Sequence, residues 1–98
     1  MDVQLLYFDG CPNWRIMDER LRALAEEIGF TIAYRAVETL EEAQKLGFRG
    51  SPTVLVDRRD LFPGDDGRVG LACRMYQTPE GLAGSPVLDE LRAALSRR

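Results

Sequence analysis

The stretch that most restricts the fold is residues 3–14, where an apolar run leads through a turn into an amphipathic segment. Residues 3–9 are almost continuously apolar, which predicts a strand covered on both faces of a sheet. Asp9-Gly10 has the composition of a turn. From residue 12 to about residue 28 the spacing predicts a helix whose sheet-facing side consists of Met17, Leu21, Leu24, Ala25 and Ile28. A buried strand that turns directly into a helix predicts a βαβ unit and hence an α/β fold.

The next segments complete this unit and add a second helix. Residues 30–37 alternate apolar and polar side chains and predict a second strand, which a right-handed crossover places parallel to the first. Thr39 and Glu42 match a capping box, so we expect a short helix that ends before Gly47.

The C-terminal half predicts two further strands and a closing helix. The residues after Pro52 predict a third strand, and residues 69–76 predict a fourth. Between them, residues 58–67 form a predicted polar loop with turn signals at Pro63-Gly64 and Asp66-Gly67. Residues 78–84 predict a second turn region, and Ser85-Pro86 predicts the cap of the last helix.

The resulting element order is β-α-β-α-β-β-α, with a four-stranded mixed sheet flanked by helices. The 98 residues suffice for one hydrophobic core and not for two, so residues 1–98 are expected to form a single domain.

Composition excludes several classes of function. The formal net charge is −3, from 13 basic and 16 acidic residues that are interspersed, so the sequence offers no basic stripe for nucleic acid. No apolar run approaches the roughly 18 residues of a membrane span. The first predicted strand has no basic segment ahead of it, so we expect a cytoplasmic protein with no membrane partner.

The chain contains no histidine and two cysteines. Without histidine there is no imidazole metal ligand, no histidine-assisted nucleophile and no Ser-His-Asp arrangement. Two cysteines do not make a disulfide scaffold, and in a reducing compartment any disulfide is expected to be transient and catalytic. Sulfur is therefore the leading candidate for chemistry, and the sequence predicts neither a cofactor nor a metal.

Cys11 stands at the predicted start of the first helix, with Pro12 in the first helical position. Proline fits there because its missing N–H has no partner within the helix anyway. The free amides and the positive end of the helix favour the thiolate, so Cys11 is a candidate nucleophile. The alternative is a plain buried cysteine, because free cysteine is among the most buried residue types.

Two short motifs, together with the element order of the whole chain, resemble the thioredoxin-like superfamily. Cys-Pro-Asn-Trp at residues 11–14 is similar to the redox motif of that superfamily, with Trp14 where the second cysteine stands. Ser51-Pro52-Thr53 is similar to its cis-proline loop. The resemblance implies a monothiol variant, a cis peptide bond before Pro52, and a loop whose Ser51 and Pro52 lie against the reactive sulfur and present backbone groups to substrate.

The C-terminal part, from residues 70–76 through 84–86, resembles small bacterial proteins described as thioredoxin-family or alkylmercury-lyase-like. Organomercurial lyases use two thiols and a carboxylate to cleave a carbon–mercury bond. The only matching set here is Cys11, Cys73 and Asp9, and the fold predicted above differs from that of those enzymes.

Cys73 has two interpretations. With Trp14 in place of the second motif cysteine, Cys11 can form a mixed disulfide but needs another thiol to release it. Cys73 is the internal candidate for this resolving role. The alternation of Leu71, Cys73 and Met75 also fits an inward-facing, packed thiol on the fourth predicted strand.

Other side chains near these motifs have two interpretations as well. Trp14 either packs against the first helix or forms an aromatic rim that contacts substrate. The Ser51 hydroxyl either lies near the sulfur or shapes its turn. Phe48, Leu61 and Phe62 form either an apolar patch beside the site or satellite core.

Three functions are carried forward as hypotheses. The first is a thiol–disulfide oxidoreductase-like protein with Cys11 as nucleophile and Cys73 or an external thiol to resolve it. Its partner is a thiol- or disulfide-containing small molecule or protein. The second is a non-catalytic binding module with a groove formed by Trp14, Ser51-Pro52 and Phe62. The third is a protein whose two thiols handle a soft metal or an organomercurial.

Overall fold

The computed structural model describes residues 1–63 and 69–97. The strands in this part of the chain are β1 (Val3–Tyr7), β2 (Ile32–Ala36), β3 (Thr53–Val56), β4 (Arg59–Asp60), β5 (Tyr76–Thr78) and β6 (Gly81–Ala83). The α-helices are α1 (Trp14–Leu24), α2 (Leu40–Leu46) and α3 (Leu88–Ser96). The fold is mixed α/β, as the sequence predicts.

A four-stranded mixed sheet has the strand order β2-β1-β3-β4. β1 pairs parallel with β2, Val3 lying opposite Ile32, and antiparallel with β3, Val3 lying opposite Val56. β4 pairs antiparallel with β3 at the edge. The central position of β1 and the parallel pairing of β1 with β2 confirm the prediction made from the apolar run and the crossover.

The hydrophobic core lies on both faces of this sheet. Consecutive residues of β1 point to opposite faces, so Leu5 and Leu6 belong to different clusters although both are completely buried. The larger cluster joins Leu5 to buried residues of α1 and α3, among them Leu21 and Leu91. The smaller one consists of Leu6, Val37, Ala43 and Phe48.

Helix α1 begins later than predicted, because its N-cap is Asn13 and not Cys11. Pro12 and Asn13 form a tight turn ahead of the helix. Their carbonyls accept hydrogen bonds from the amides of Arg15 and Ile16, each at 3.2 Å, in the i→i+3 pattern of a 3₁₀ turn. Cys11 therefore lies two residues before the N-cap.

The end of this helical segment also differs from the prediction. After α1 the chain forms a π-helical turn, Ala25–Gly29, and Gly29 ends the segment with a φ of 91°. A π turn has a longer hydrogen-bonding interval than an α-helix, so it shifts the helical phase. Ile28, predicted to face the sheet, is 40% exposed.

Helix α2 confirms the capping prediction. The Thr39 hydroxyl accepts a hydrogen bond from the amide of Glu42 at 3.1 Å. The Glu42 carboxylate in turn accepts from the amide of Glu38 at 3.3 Å, one residue before the N-cap. Gly47, in the left-handed region with a φ of 66°, ends the helix.

The predicted fourth strand at residues 69–76 is wrong. The fourth strand of the sheet is β4, which follows β3 through a two-residue turn with positive φ at Asp57 (52°) and Arg58 (69°). This short turn closes the hairpin inside the predicted 58–67 loop. Of the turn signals expected in that loop, Gly64 and Asp66-Gly67 lie outside the described residues.

Beyond that loop the chain forms a small separate hairpin before the last helix. β5 and β6 pair antiparallel; β6 lies inside the predicted turn region 78–84, and β5 ends at the first residue of that region. Helix α3 starts at Leu88, and its N-cap Val87 makes no side-chain cap hydrogen bond, so the predicted cap at Ser85-Pro86 is wrong. The Ser85 hydroxyl instead lies 3.1 Å from the Pro86 carbonyl oxygen. None of the helices described is long and apolar enough to cross a membrane.

Candidate functional site

A disulfide joins Cys11 and Cys73, whose Cα atoms are 5.7 Å apart although 62 residues separate them in sequence. This Cα separation lies within the usual range for a disulfide. The bond uses both cysteines of the chain. Cys73 is exposed, so it does not have the inward-facing, packed position that the predicted fourth strand implied.

The two cysteines differ sharply in exposure. Cys11 is 0% exposed and lies in the connection between β1 and α1, where its amide donates to the Phe8 carbonyl at 3.0 Å. Cys73 is exposed. The disulfide thus has a buried residue on one side and an exposed residue on the other.

Ser51 holds the segment that carries Cys73. Its amide donates to the Ala72 carbonyl at 2.8 Å, and its carbonyl accepts from the Arg74 amide at 2.9 Å. These bonds form an isolated parallel bridge between Ser51 and Cys73. The Ser51 carbonyl oxygen also lies 3.7 Å from the sulfur of Cys11. The Ser51–Pro52 peptide bond is cis, as the resemblance implies.

Gly50 allows the two segments to approach this closely. Its φ is 121°, a conformation that side-chain-bearing residues rarely adopt. A Cβ at this position would lie 2.9 Å from the Arg74 Cβ and 3.1 Å from the Ala72 carbonyl oxygen. A glycine is therefore needed directly before Ser51 for backbone and steric reasons alike.

Arg74, the residue after Cys73, is only 3% exposed. Its guanidinium donates to the Asp60 carboxylate at 2.8 Å, to the Thr53 hydroxyl at 3.2 Å and to the Phe62 carbonyl at 2.7 Å. It also lies over the ring of Tyr76, 4.7 Å from the ring centre. A buried cation needs this kind of pairing, because desolvating an unpaired charge costs several kcal/mol.

Two further side chains hydrogen-bond to the loop at residues 50–52. The Tyr76 hydroxyl donates to the Pro52 carbonyl at 2.5 Å, and the Thr53 hydroxyl donates to the Gly50 carbonyl at 2.6 Å. The loop before β3 and the segment after Cys73 are therefore joined by side-chain and backbone hydrogen bonds.

The predicted substrate-presenting groups are already hydrogen-bonded inside the chain. Ser51 and Pro52 are both buried, and the bonds above engage the amide and carbonyl of Ser51 and the carbonyl of Pro52. The Ser51 hydroxyl is buried without a hydrogen-bond partner among the described residues. A substrate-binding role for these two residues stays a prediction.

The aromatic and apolar side chains predicted to border the site are largely packed. Trp14 is half-buried against the main core cluster and stacks on Tyr7, with 4.3 Å between ring centres. Phe48 is completely buried, Leu61 is 8% exposed, and Phe62 packs against the same cluster as Leu61. The satellite-core interpretation of Phe48, Leu61 and Phe62 is therefore the one that the structure supports.

Sequence reasoning missed Arg74, Asp60 and Tyr76. Arginine and aspartate are usually exposed, and no local pattern pairs two such residues across 14 positions. The one available signal was position, since Arg74 directly follows the second cysteine.

In comparisons with known proteins, no protein-family model, no curated protein and no solved structure matches the chain. Within residues 1–63 and 69–97, no cluster of three or more histidine, cysteine, aspartate or glutamate side chains is arranged to hold a metal ion. The Cys11–Cys73 pair places two sulfurs side by side, and such a pair can exchange two electrons between disulfide and dithiol.

Proposed function

We propose that the protein carries out thiol–disulfide exchange, with Cys11 and Cys73 as its redox pair. The observation that carries the proposal is the disulfide between two distant cysteines, one buried and one exposed. Internal release of a mixed disulfide needs a second sulfur next to the first, and Cys73 is available for this role while Trp14 fills the second place of the local motif.

We include a thioredoxin-like fold in this proposal. Three observations support it: the strand order β2-β1-β3-β4, the position of Cys11 in the connection from β1 to α1, and the cis Ser51–Pro52 bond directly before β3. The hairpin β5–β6 is an addition to the predicted element order. We also propose a cytoplasmic location, where a disulfide of this kind would be transient.

The exposures of the two cysteines favour Cys73 as the sulfur that meets an external thiol. Attack on a disulfide depends on which sulfur is accessible. A substrate thiolate attacks the Cys73 sulfur, the bond between Cys73 and Cys11 breaks, and Cys11 leaves as a thiolate that takes a proton from water. A second substrate thiolate then attacks the substrate sulfur of this mixed disulfide. It forms the substrate disulfide and releases Cys73, so two thiols are oxidised and the protein disulfide is reduced.

The same steps in the opposite direction reduce a substrate disulfide. The Cys73 thiolate attacks it and forms a mixed disulfide, from which one substrate thiolate leaves. The Cys11 thiolate then attacks the Cys73 sulfur of the mixed disulfide and releases the second substrate thiolate. Cys11 is buried, and in this direction it is the internal resolving thiol. In this scheme Ser51 contributes by holding the Cys73 segment through its backbone.

The test is to locate the first mixed disulfide. The oxidised protein is mixed with excess of a small thiol, quenched with acid at short times, digested and mapped by mass. We expect the adduct on Cys73, formed faster than the chain unfolds. The oxidised protein in concentrated urea is the control, and there both sulfurs should react comparably. Exchange no faster than unfolding, or an adduct found on Cys11 in the folded protein, would contradict the proposal.

A second candidate function is binding of a soft metal ion, and the same adjacency of the sulfurs supports it. Two reduced thiols next to each other suit a linear, two-coordinate soft ion, although they do not complete a tetrahedral zinc site. Stoichiometric Hg²⁺ binding that is lost in Cys11→Ser and in Cys73→Ser, together with exchange no faster than unfolding, would favour this candidate. If the protein neither exchanges thiols faster than it unfolds nor binds Hg²⁺ stoichiometrically, the non-catalytic binding module is the hypothesis that remains.

A further inference from the structure

We propose that Arg74 is a positioning residue for the redox pair. Its guanidinium holds the backbone next to Cys73 so that the Cys73 sulfur stays opposite Cys11 when the disulfide is open. The inference rests on the proposed function, because it concerns how the second sulfur is kept available for closure. It concerns a residue outside the two motifs from which the redox site was predicted.

The hydrogen bonds of Arg74 connect the Cys73 segment to two parts of the chain, namely β3 and the end of β4 with the residues directly after it. Asp60 belongs to β4, Thr53 to β3, and Phe62 to the residues that follow β4. The guanidinium is a planar fork whose donors point in fixed directions, so three acceptors at 2.7–3.2 Å fix both its place and its orientation. A lysine at this position would keep the positive charge but would lack the planar set of donors that points at the three acceptors.

The segment around Cys73 has little regular structure of its own. Residues 69–75 lie outside the named strands, and Cys73 enters only the isolated bridge to Ser51. Besides that bridge, the Gly70 amide donates to the Phe48 carbonyl at 3.1 Å. The buried Arg74 side chain and its partners therefore add a side-chain constraint directly beside Cys73 to the backbone bonds with Ser51.

This constraint determines how readily the disulfide closes. An intramolecular disulfide forms in proportion to the effective concentration of one sulfur at the other, and fixing the segment raises that concentration. The disulfide in turn holds the segment in place and favours the Arg74 contacts by the same factor, because coupling between two sites is reciprocal. A merely structural ion pair would stabilise the oxidised and the reduced protein equally and leave the closure equilibrium unchanged.

The experiment measures the equilibrium constant for closure in glutathione buffers. In this reaction the reduced Cys11 and Cys73 thiols and one glutathione disulfide give the protein disulfide and two reduced glutathiones, with atoms and electrons balanced. Acid-quenched samples are alkylated and counted by mass. We expect Arg74→Met to lower the constant on the order of tenfold, about 1.4 kcal/mol, and Arg74→Lys to fall between it and the wild type.

Arg92 provides a matched control. Arg92, in α3, pairs with Glu27 of the π-helical turn at 2.7 Å and with Asp89 of α3 at 2.8 Å. The substitution Arg92→Met therefore also removes a paired arginine. We expect this variant to keep the closure constant within about twofold of the wild type, because these partners do not contact the Cys73 segment. The unfolding free energies of the oxidised and reduced forms are measured in parallel. Only the Arg74 variants should lower the unfolding free energy of the oxidised form by more than that of the reduced form.

The outcomes separate the two proposals. If the wild type forms the Cys11–Cys73 disulfide and Arg74→Met has an unchanged closure constant, the positioning role is wrong and the proposed function stands. If the wild type forms no such disulfide at any glutathione ratio, the proposed function itself fails. Should Arg74→Met not fold, Asp60→Asn takes its place. It removes the charge opposite Arg74 while preserving side-chain shape, and an unchanged constant in that variant would overturn the inference equally.

Discussion

Ser51 and Thr53 are buried residues two positions apart whose hydroxyls have opposite hydrogen-bonding environments. Both are 0% exposed. The Thr53 hydroxyl donates to the Gly50 carbonyl and accepts from Arg74, whereas the Ser51 hydroxyl has no partner among the described residues. A buried hydroxyl without a partner loses its hydrogen bonds to water and gains none in the protein, which is unfavourable. In the oxidised protein, Ser51 therefore acts through its backbone.

These two residues give a matched pair of substitutions. We expect Ser51→Ala to leave the unfolding free energy of the oxidised protein unchanged or to raise it by up to about 1 kcal/mol. Thr53→Val should lower it by about 1–3 kcal/mol, because the Gly50 carbonyl and Arg74 each lose a partner. Urea unfolding monitored by circular dichroism measures both. A loss for Ser51→Ala as large as that for Thr53→Val would show that the Ser51 hydroxyl does have a partner.

At the residue scale, the sequence pointed to Cys11, Ser51 and Pro52 because each belongs to a short local motif. It left Cys73 with two interpretations, and it missed Arg74 altogether. The positions of Cys73 and Arg74 depend on pairing with Ser51 and Asp60, which are distant in sequence. Local patterns carry no information about such pairs.

At the scale of elements, Gly50 lies close against the residues on either side of Cys73, Ala72 and Arg74. Gly81, at the turn of the β5–β6 hairpin, makes a suitable comparison. Both glycines have positive φ, 121° and 109°, but a Cβ on Gly81 would meet no atom within 4 Å. The two positions share the backbone requirement and differ in steric contact.

Gly81→Ala should cost about 1–2 kcal/mol of unfolding free energy, which is the penalty for a side chain at positive φ. We expect Gly50→Ala to cost roughly 1–3 kcal/mol beyond that, because its Cβ meets Arg74 and Ala72. Gly50→Ala should also weaken disulfide closure in glutathione buffers, and Gly81→Ala should not. If Gly50→Ala and Gly81→Ala changed the unfolding free energy and the disulfide closure constant equally, the close approach of Gly50 to Ala72 and Arg74 would be contradicted.

Tyr34 links β2 to α1 by donating a hydrogen bond to the Asp18 carboxylate at 2.5 Å. Partial burial, together with this bond, raises the pKa of Tyr34 to about 12. The unfolded phenol titrates near pH 10. Its contribution to stability is therefore fully present below about pH 10 and is lost as the pH rises through about 12, and it is small because the residue is 48% exposed.

The difference in tyrosinate absorbance between the wild type and Tyr34→Phe measures this titration while circular dichroism reports folding. We expect the Tyr34 midpoint well above pH 10 in the folded protein, and Asp18→Asn should move it toward pH 10 because the carboxylate acceptor is gone. A midpoint near pH 10 in the folded wild type would contradict the burial and hydrogen bonding of this side chain.

The elements that the sequence predicts well are those with local signals. The apolar run gave β1, and Thr39 with Gly47 bounded α2. The fourth strand was misplaced because β4 has only two residues and is defined by pairing with β3 through Asp57-Arg58. No turn residue of the usual Asn-Gly or Gly-Gly kind marks that position.

At the scale of the whole molecule, the disulfide ties the connection between β1 and α1 to a segment 62 residues later. The loop that it closes contains α1, the π-helical turn, β2, α2, β3 and β4, so it restricts most of the unfolded chain. Chain-entropy arguments put the stabilisation from a loop of this length at roughly 4 kcal/mol, with measured cases ranging from about 0 to 5. The redox state of the pair should therefore change the stability of the whole fold.

We expect reduction to lower the unfolding free energy by about 2–4 kcal/mol, measured by urea unfolding with and without a reductant. The double variant Cys11→Ser/Cys73→Ser is the control, and reductant should not affect its unfolding. Identical denaturation midpoints for the oxidised and reduced wild type would show that the bond does not close this loop.

The central claim is that Cys11 and Cys73 act as one redox pair, and the most direct measurement is the thiol content of the wild type across a series of glutathione ratios. The account predicts one two-electron transition from two free thiols to none, with Cys11 and Cys73 peptides linked in the oxidised form. Two independent one-thiol transitions, each ending in a glutathione adduct, would contradict it.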